Sequence, residues 1–197
     1  MIEPGCDFLG ALAQRVLVFD GSMGANLQGL ELGAADFGGA RYEGCMDALC
    51  LSRPEAPALL HRGFLDAGCD VVETNTFQAS RLRLQEWGLA DRTLELNRAG
   101  AAIARAVCDE FEVADARPRF VAGSIGPTGF LPSSDDPTLS DIAFEVLVST
   151  FAEQARGLIE GGADLLIIET QQDILETKAA MLGARRAFEA AGRALPL

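Results

Sequence analysis

One block of this sequence occurs twice. Leu65-Asp66-Ala67-Gly68-Cys69-Asp70 precedes Val71-Val72 and then Glu73-Thr74. Ile159-Glu160-Gly161-Gly162-Ala163-Asp164 precedes Leu165 to Ile168 and then Glu169-Thr170. Each copy reads as a helix end, a glycine stop, an aspartate, a short buried strand and a carboxylate where the strand finishes. The second strand is two residues longer. That even offset keeps Glu73 and Glu169 on equivalent faces, because side chains along a strand alternate with period two. A repeated helix–Gly–x–Asp–strand–Glu-Thr unit argues for parallel strands joined by helical crossovers.

The rest of the chain fits the same scheme. Apolar runs predict strands at 16–20, about 69–74, about 119–123 and 164–169. A short apolar-periodic lead-in helix is expected within 5–14. The glycine-rich connection from Ala25 to Leu51 exceeds an ordinary loop and is expected to be functional or partly helical. Ser52-Arg53-Pro54-Glu55 reads as a capping box opening a helix to about Ala67. Further helices are expected at about 91–111 and 173–190. The strongest periodicity places Phe144, Leu147, Val148, Phe151, Ala155, Leu158 and Ile159 on one helical face. Leu195-Pro196-Leu197 looks like the first residues of a fifth strand. The fold class is therefore α/β, the N-terminal half of a (β/α)8 TIM barrel with about four βα units. Eight units recurring about every 50 residues would exceed this length considerably.

Composition narrows the partners. The chain has 197 residues, of which 49% are hydrophobic, enough for one sizeable core. No apolar run approaches the roughly 18 residues of a membrane helix. The opening Met1-Ile2-Glu3-Pro4 lacks the basic segment of a signal peptide. A net charge of −13 argues against a nucleic-acid surface or an anionic membrane as partner. The five cysteines, Cys6, Cys45, Cys50, Cys69 and Cys108, are odd in number and scattered, as free thiols of a cytoplasmic protein would be. Cys45 and Cys50 have zinc-finger-like spacing. No second pair exists, however, and His61 is the only histidine, so no zinc site is expected from this chain.

In a barrel, chemistry gathers where strands end. Asp20 follows Val16-Leu17-Val18-Phe19 and is followed by Gly21-Ser22-Met23-Gly24. Carboxylates at two strand ends can hold a cationic group, and the N–H groups of a glycine turn can hold a carboxylate. Together they suit an amino acid. The competing reading is that Asp20, Glu73 or Glu169 merely bonds loop backbone. Other motifs fail. No G-x-G-x-x-G turn follows the first strand, and Ser22 stands where an aspartate-nucleophile phosphatase carries its second Asp. His61 lies within an expected helix and supports no triad.

Val18-Phe19-Asp20-Gly21-Ser22-Met23-Gly24, Glu73-Thr74-Asn75-Thr76-Phe77, Gly126-Pro127-Thr128 and Ile168-Glu169-Thr170 together resemble the homocysteine S-methyltransferases. Ala35 to Cys45 resembles more narrowly the first, homocysteine-binding module of the cobalamin-dependent methionine synthases. The resemblance implies that residues 1–197 form a homocysteine-binding domain truncated at its C-terminal side. It implies methyl transfer to a zinc-activated homocysteine thiolate, giving methionine, with methylcobalamin on a separate domain as donor. By the same resemblance Asp20 and Glu169 hold the amino group. Gly21 and Ser22 offer backbone N–H to the carboxylate, and Thr76 sits close by. Asn75 and Thr128 are expected only near the mouth, and Glu73 is given no role. The family's three zinc cysteines, including a Gly-Gly-Cys-Cys segment, have no match here. Zinc ligands are thus expected beyond Leu197, in a downstream half-barrel that partners this one beside folate and cobalamin modules. The fragment alone is expected to be inactive. Competing expectations are a relative using a sulfonium or betaine donor, an unrelated TIM-barrel aldolase or isomerase, and a non-catalytic amino-acid-binding module.

Overall fold

The structure, a computed structural model, describes residues 7–197. Cys6 and the start of the lead-in helix therefore lie outside the described residues. The helices are α1 (Phe8–Gln14), α2 (Met23–Gln28), α3 (Leu49–Ser52), α4 (Glu55–Asp66), α5 (Arg81–Leu84), α6 (Thr93–Asp115), α7 (Pro137–Ser140), α8 (Phe144–Glu160) and α9 (Ile174–Ala191). The strands are β1 (Val71–Glu73), β2 (Phe120–Ile125) and β3 (Leu165–Ile168). They form a parallel sheet in the order β1-β2-β3. Val71 pairs with Phe120 and Glu73 with Ala122; Ala122 pairs with Leu165 and Ile125 with Ile168.

The twice-used block is explained by what its aspartates do. Asp70 Oδ2 accepts the Val18 N–H at 2.9 Å, while the Asp70 N–H donates to Val18 O at 2.8 Å. Asp164 repeats this one crossover later: Oδ2 accepts the Val121 N–H at 2.8 Å, and its own N–H donates to Val121 O at 2.9 Å. Asp70 thus locks the beginning of β1 to the segment around Val18, and Asp164 locks the beginning of β3 to β2. Arginines complete both sites, Arg15 and Arg117 on Asp70 and Arg105 on Asp164. The glycines also have a shared geometry. Gly68 and Gly162 sit at φ +105° and +99°, left-handed values that glycine adopts without a Cβ clash.

Alternation along the strands sorts the core into two layers. Val72, Val121 and Leu166 face the helices, in a core shared with Ala104, Leu147, Phe151, Leu158 and Ala180. Val71, Phe120, Ala122 and Leu165 face the other way and pack with Phe8, Ala11 and Leu17. Phe8 meets the Phe120 ring edge-on at 5.6 Å, so α1 closes the end where strands begin. Glu73, Ser124 and Glu169 continue the columns of Val71, Ala122 and Leu165 toward the other end.

Several expectations need correction. Residues 16–20 form only an isolated parallel bridge, Phe19 to Val71, and not a strand. Val16 and Val18 are 81% and 51% exposed: nothing packs on their outer side. The sheet accordingly has three strands rather than four among the described residues. The capping box does not form. Ser52 ends α3 and its hydroxyl donates to Ala48 O, while Pro54 occupies the N-cap of α4. The helix expected at 91–111 runs on to Asp115 and stops at Ala116 in the left-handed region. At the far end of the chain, Leu166 N donates to Pro196 O at 2.9 Å, so residues 195–197 run beside β3 without forming a strand. His61 is buried in α4.

Candidate functional site

A cavity of about 660 Å³ opens where the strands end. Asp20 enters from the segment before α2, Glu73 from the end of β1, Ser124 from β2, and Glu169 from the residue after β3. Gly21, Ser22, Gly24 and Asn75 also line it. The long connection supplies a wall through Gln28, Gly44, Met46 and Asp47. A larger cavity, about 840 Å³, lies at the opposite end of the sheet. Three of its four arginines are held in ion pairs: Arg105 to Asp109, Glu112 and Asp164, Arg117 to Asp70, and Arg119 to Asp115.

Asp20 does two things at once. Its Oδ2 accepts the Glu73 N–H at 3.0 Å, the backbone role that competed with ligand binding, whereas Oδ1 is buried with no hydrogen-bond partner. A buried carboxylate oxygen left unpaired is costly, and a cationic ligand would relieve that cost. Burial is the main reason that the Asp20 carboxyl is pushed up to about 7, with the Glu169 charge adding to it. Glu169 Oε1 accepts the Ser124 hydroxyl at 2.5 Å. The next residue, Thr170, holds φ +55°, a strained value for a β-branched side chain, and its hydroxyl reaches back to Glu169 Oε2 at 3.4 Å. Gly21 and Ser22 lie at the cavity, where the Ser22 hydroxyl caps α2 by accepting the Ala25 N–H at 3.2 Å.

Thr76 stands between Asn75 and Phe77, which line the cavity. It is fully buried and does not line the cavity. Ser124 N–H donates to Thr74 Oγ1, Thr74 bonds Thr76 Oγ1 at 2.6 Å, and the Thr76 hydroxyl donates to Ser124 O at 2.9 Å. Thr76 therefore ties the end of β1 to β2. Thr128 is also turned away. Its N–H and hydroxyl donate to Glu176 Oε1 at 2.7 and 2.5 Å, which fastens the loop after β2 to α9. Asp173 reinforces the same fastening by accepting the Ser133 N–H at 2.7 Å and capping α9. Asn75 lines the cavity and donates through Nδ2 to Met46 O at 2.8 Å.

Of two further site residues, Ser124 opens the strand-end segment Ser124 to Thr128 that the sequence pattern marks, and Asp47 carries no mark in it. Ser124 sits one position past the expected end of its strand, and the strand's alternation carries it inward. Asp47 stands inside the long connection. It is buried, its Oδ1 accepts the Gln78 N–H at 3.0 Å, and burial pushes its carboxyl up to about 6. Together Asp47 and Asn75 clamp the connection onto the loop after β1.

The residues present do not suit a catalytic metal. Among the described residues, no three His, Cys, Asp or Glu side chains converge as ligands. Cys45, Cys50, Cys69 and Cys108 are buried free thiols. Burial pushes Cys45 up to about 11 and Cys108 up to about 12, and raises Cys50 further, so none is a ready thiolate.

A parallel α/β sheet with an acidic cavity at its strand ends fits the family that the sequence matches over residues 17–195: the chain belongs to the homocysteine S-methyltransferases. It is 44% identical over 191 residues to the methionine synthase of Mycobacterium tuberculosis, and likewise to that of Mycobacterium leprae. The matched region is 97% of this chain but only 15% of the length of either relative. In fold, the chain resembles the homocysteine methyltransferase MmuM from Escherichia coli in its metallated form. The TM-score is 0.72 at 21% identity, covering 93% of this chain and 62% of the other. Its oxidized form matches with the same TM-score. The architecture is thus part of a barrel of that type. No described helix is long and apolar enough to cross a membrane.

Proposed function

We propose that this chain is the homocysteine-binding part of a methyltransferase that makes methionine, with residues 1–197 acting as one domain. The observation that carries this reading is the cavity at the strand ends. Its carboxylates face inward, one buried oxygen of Asp20 lacks a partner, and the glycine turn at Gly21 and Ser22 stands beside them. Asp20 and Glu169 hold the amino group. The backbone N–H groups of Gly21 and Ser22 take the carboxylate, so the amino-acid end is fixed and the sulfur points outward. Thr76 supports this site through the β1–β2 tie without touching the substrate.

Thiol activation falls to side chains outside this chain, because the zinc associated with the family finds no ligand set among the described residues. The methyl donor of the reading is methylcobalamin on a separate domain, and the resemblance of Ala35 to Cys45 favours it over a free sulfonium or betaine donor. Homocysteine is the partner in the site, with a complementary half-barrel and folate and cobalamin modules as protein partners, in the cytoplasm. Titration calorimetry tests the site. Glu169→Gln is expected to weaken homocysteine binding about ten- to a hundred-fold, the worth of a charge-assisted hydrogen bond. Unchanged affinity would return Glu169 to a structural role.

A further inference from the structure

The Asn75 side chain is held in the cavity wall by its amide nitrogen alone. Nδ2 donates to Met46 O at 2.8 Å and to Cys50 Sγ at 3.6 Å. The Cys50 thiol uses its own proton on Asn75 O at 3.3 Å, so its sulfur meets Nδ2 as an acceptor. These partners fix which way the amide points. Turned over, Oδ1 would face a carbonyl oxygen and a sulfur with no proton left to give. Asn75 is only 6% exposed. Its Oδ1 nevertheless accepts no hydrogen bond among the described residues, and it is not closed off from solvent. Asn75 lines the cavity, and this oxygen is the part of the amide left to face it. A nearly buried carbonyl oxygen without a partner is costly, and a ligand donor would relieve that cost.

We infer that Asn75 is a further binding residue of this site: its Oδ1 accepts one N–H of the substrate ammonium group. The inference rests on the amino-acid reading above and adds a residue to it. The chemistry selects the ammonium. A carbonyl oxygen repels a ligand carboxylate, and a thiol S–H is only a weak donor. An ammonium group carries three N–H donors, and each needs an acceptor once water is excluded. On the amino-acid reading Asp20 and Glu169 supply two of them. Asn75 Oδ1 supplies the third, and it adds no charge to a wall that already carries four carboxylates, Asp20, Asp47, Glu73 and Glu169. The three acceptors come from three segments: before α2, after β1 and after β3. The residue type follows from this double use. An aspartate at 75 would set an oxygen against Met46 O and lose the anchor to the long connection. A ligand without the amino group leaves Oδ1 unpaired, so the site discriminates against it.

The test pairs a residue change with a ligand change on the full chain. The ligands are L-methionine and 4-(methylthio)butanoate, which is methionine without its amino group. Asn75→Ala is expected to weaken methionine binding about ten-fold and to leave the affinity for 4-(methylthio)butanoate unchanged. A wall loosened by the lost Met46 anchor would weaken both ligands alike. An equal loss for the two ligands, or no loss for methionine, therefore overturns the inference alone. A second measurement needs no variant. The chain has three asparagines, Asn26, Asn75 and Asn97, so labelling them with ¹³C at the amide carbon gives a simple spectrum. One signal is expected to shift when methionine saturates the site and to stay in place with 4-(methylthio)butanoate. Three signals that ignore methionine overturn the inference even where Asn75→Ala fails to fold. A chain that binds neither methionine nor homocysteine overturns the amino-acid reading, and the inference with it.

Discussion

His61 shows what a single buried side chain can cost. It is fully buried in α4, and neither ring nitrogen has a hydrogen-bond partner. Burial lowers its pKa to about 4. Between that value and the ordinary 6.5, the unfolded chain binds the proton and the folded chain does not. His61 therefore leaves stability intact above about pH 6.5 and withdraws it as the pH falls toward 4. His61→Leu removes both the unpaired nitrogens and this acid penalty. We expect a gain of about 1–2 kcal/mol near neutrality and a larger gain near pH 5, read from urea melts at several pH values. An equal gain at every pH would show that the histidine does not titrate in this window. Little in the sequence warns of this burial. A lone histidine within a helix pattern reads as an ordinary helix residue, and its burial is a matter of which face α4 turns to the core. Asp20 and Glu169 are easier to find, because both stand directly after an apolar run. Thr76 is not. Alternation holds only while the backbone is a strand, and β1 ends at Glu73, so parity no longer says where a residue three positions later points.

At the scale of elements, three helices meet at glycines. A Cβ on Gly183 of α9 would lie 2.7 Å from Phe151 Cβ and 2.7 Å from Val148 O of α8. A Cβ on Gly157 of α8 would lie 2.7 Å from Asn97 Cβ and 2.9 Å from Leu94 O of α6. These backbones touch because no side chain separates them. Gly183→Ala is expected to destabilise the chain by about 1–3 kcal/mol, despite alanine's better helix propensity. Gly63 of α4 is the control. Nothing lies within 4 Å of its missing Cβ, and Gly63→Ala is expected to stabilise by about 0.5–1 kcal/mol. Thermal melts of the two variants should shift in opposite directions; a common direction would mean that propensity, not packing, governs these positions. The period of apolar residues makes α8 legible almost to the residue, because one face of it is continuous core. Residues 16–20 mislead for the opposite reason. Their composition suits a strand, but the segment bonds to β1 only around Val18 and Asp20 and forms a single isolated bridge, Phe19 to Val71. The Ser52–Glu55 signature fails because α3 has already taken Ser52.

Of the exposed apolar side chains of the described residues, two groups bear on association. Val16 and Val18 stand exposed along the outermost segment of the sheet, and Ile174, Met181 and Leu182 are exposed on α9. Exposed apolar side chains beside an open sheet edge favour association. The net charge of −13 opposes it at low salt. We therefore expect self-association that grows with ionic strength, seen as a concentration-dependent sedimentation coefficient. Replacing Val16 and Val18 by lysine should suppress it. A sharp monomer boundary at all salt concentrations would show that these side chains are harmless as they stand.

The parallel sheet has one more consequence, for the order in which this protein comes into being. Parallel neighbours cannot be joined by a tight hairpin, so every strand pair waits for an intervening helix. Asp20 and Glu73 leave the ribosome early, and β2 can dock on β1 while the last third of the chain is still being made. Glu169 arrives only with β3. Until then the nascent chain has part of a pocket: Asp20, Asp47 and Glu73 are present, and Glu169 is not. On the amino-acid reading proposed above, competence to capture the ligand is therefore gained in one late step, and a chain stalled before Glu169 is expected to be folded in part but not to bind it.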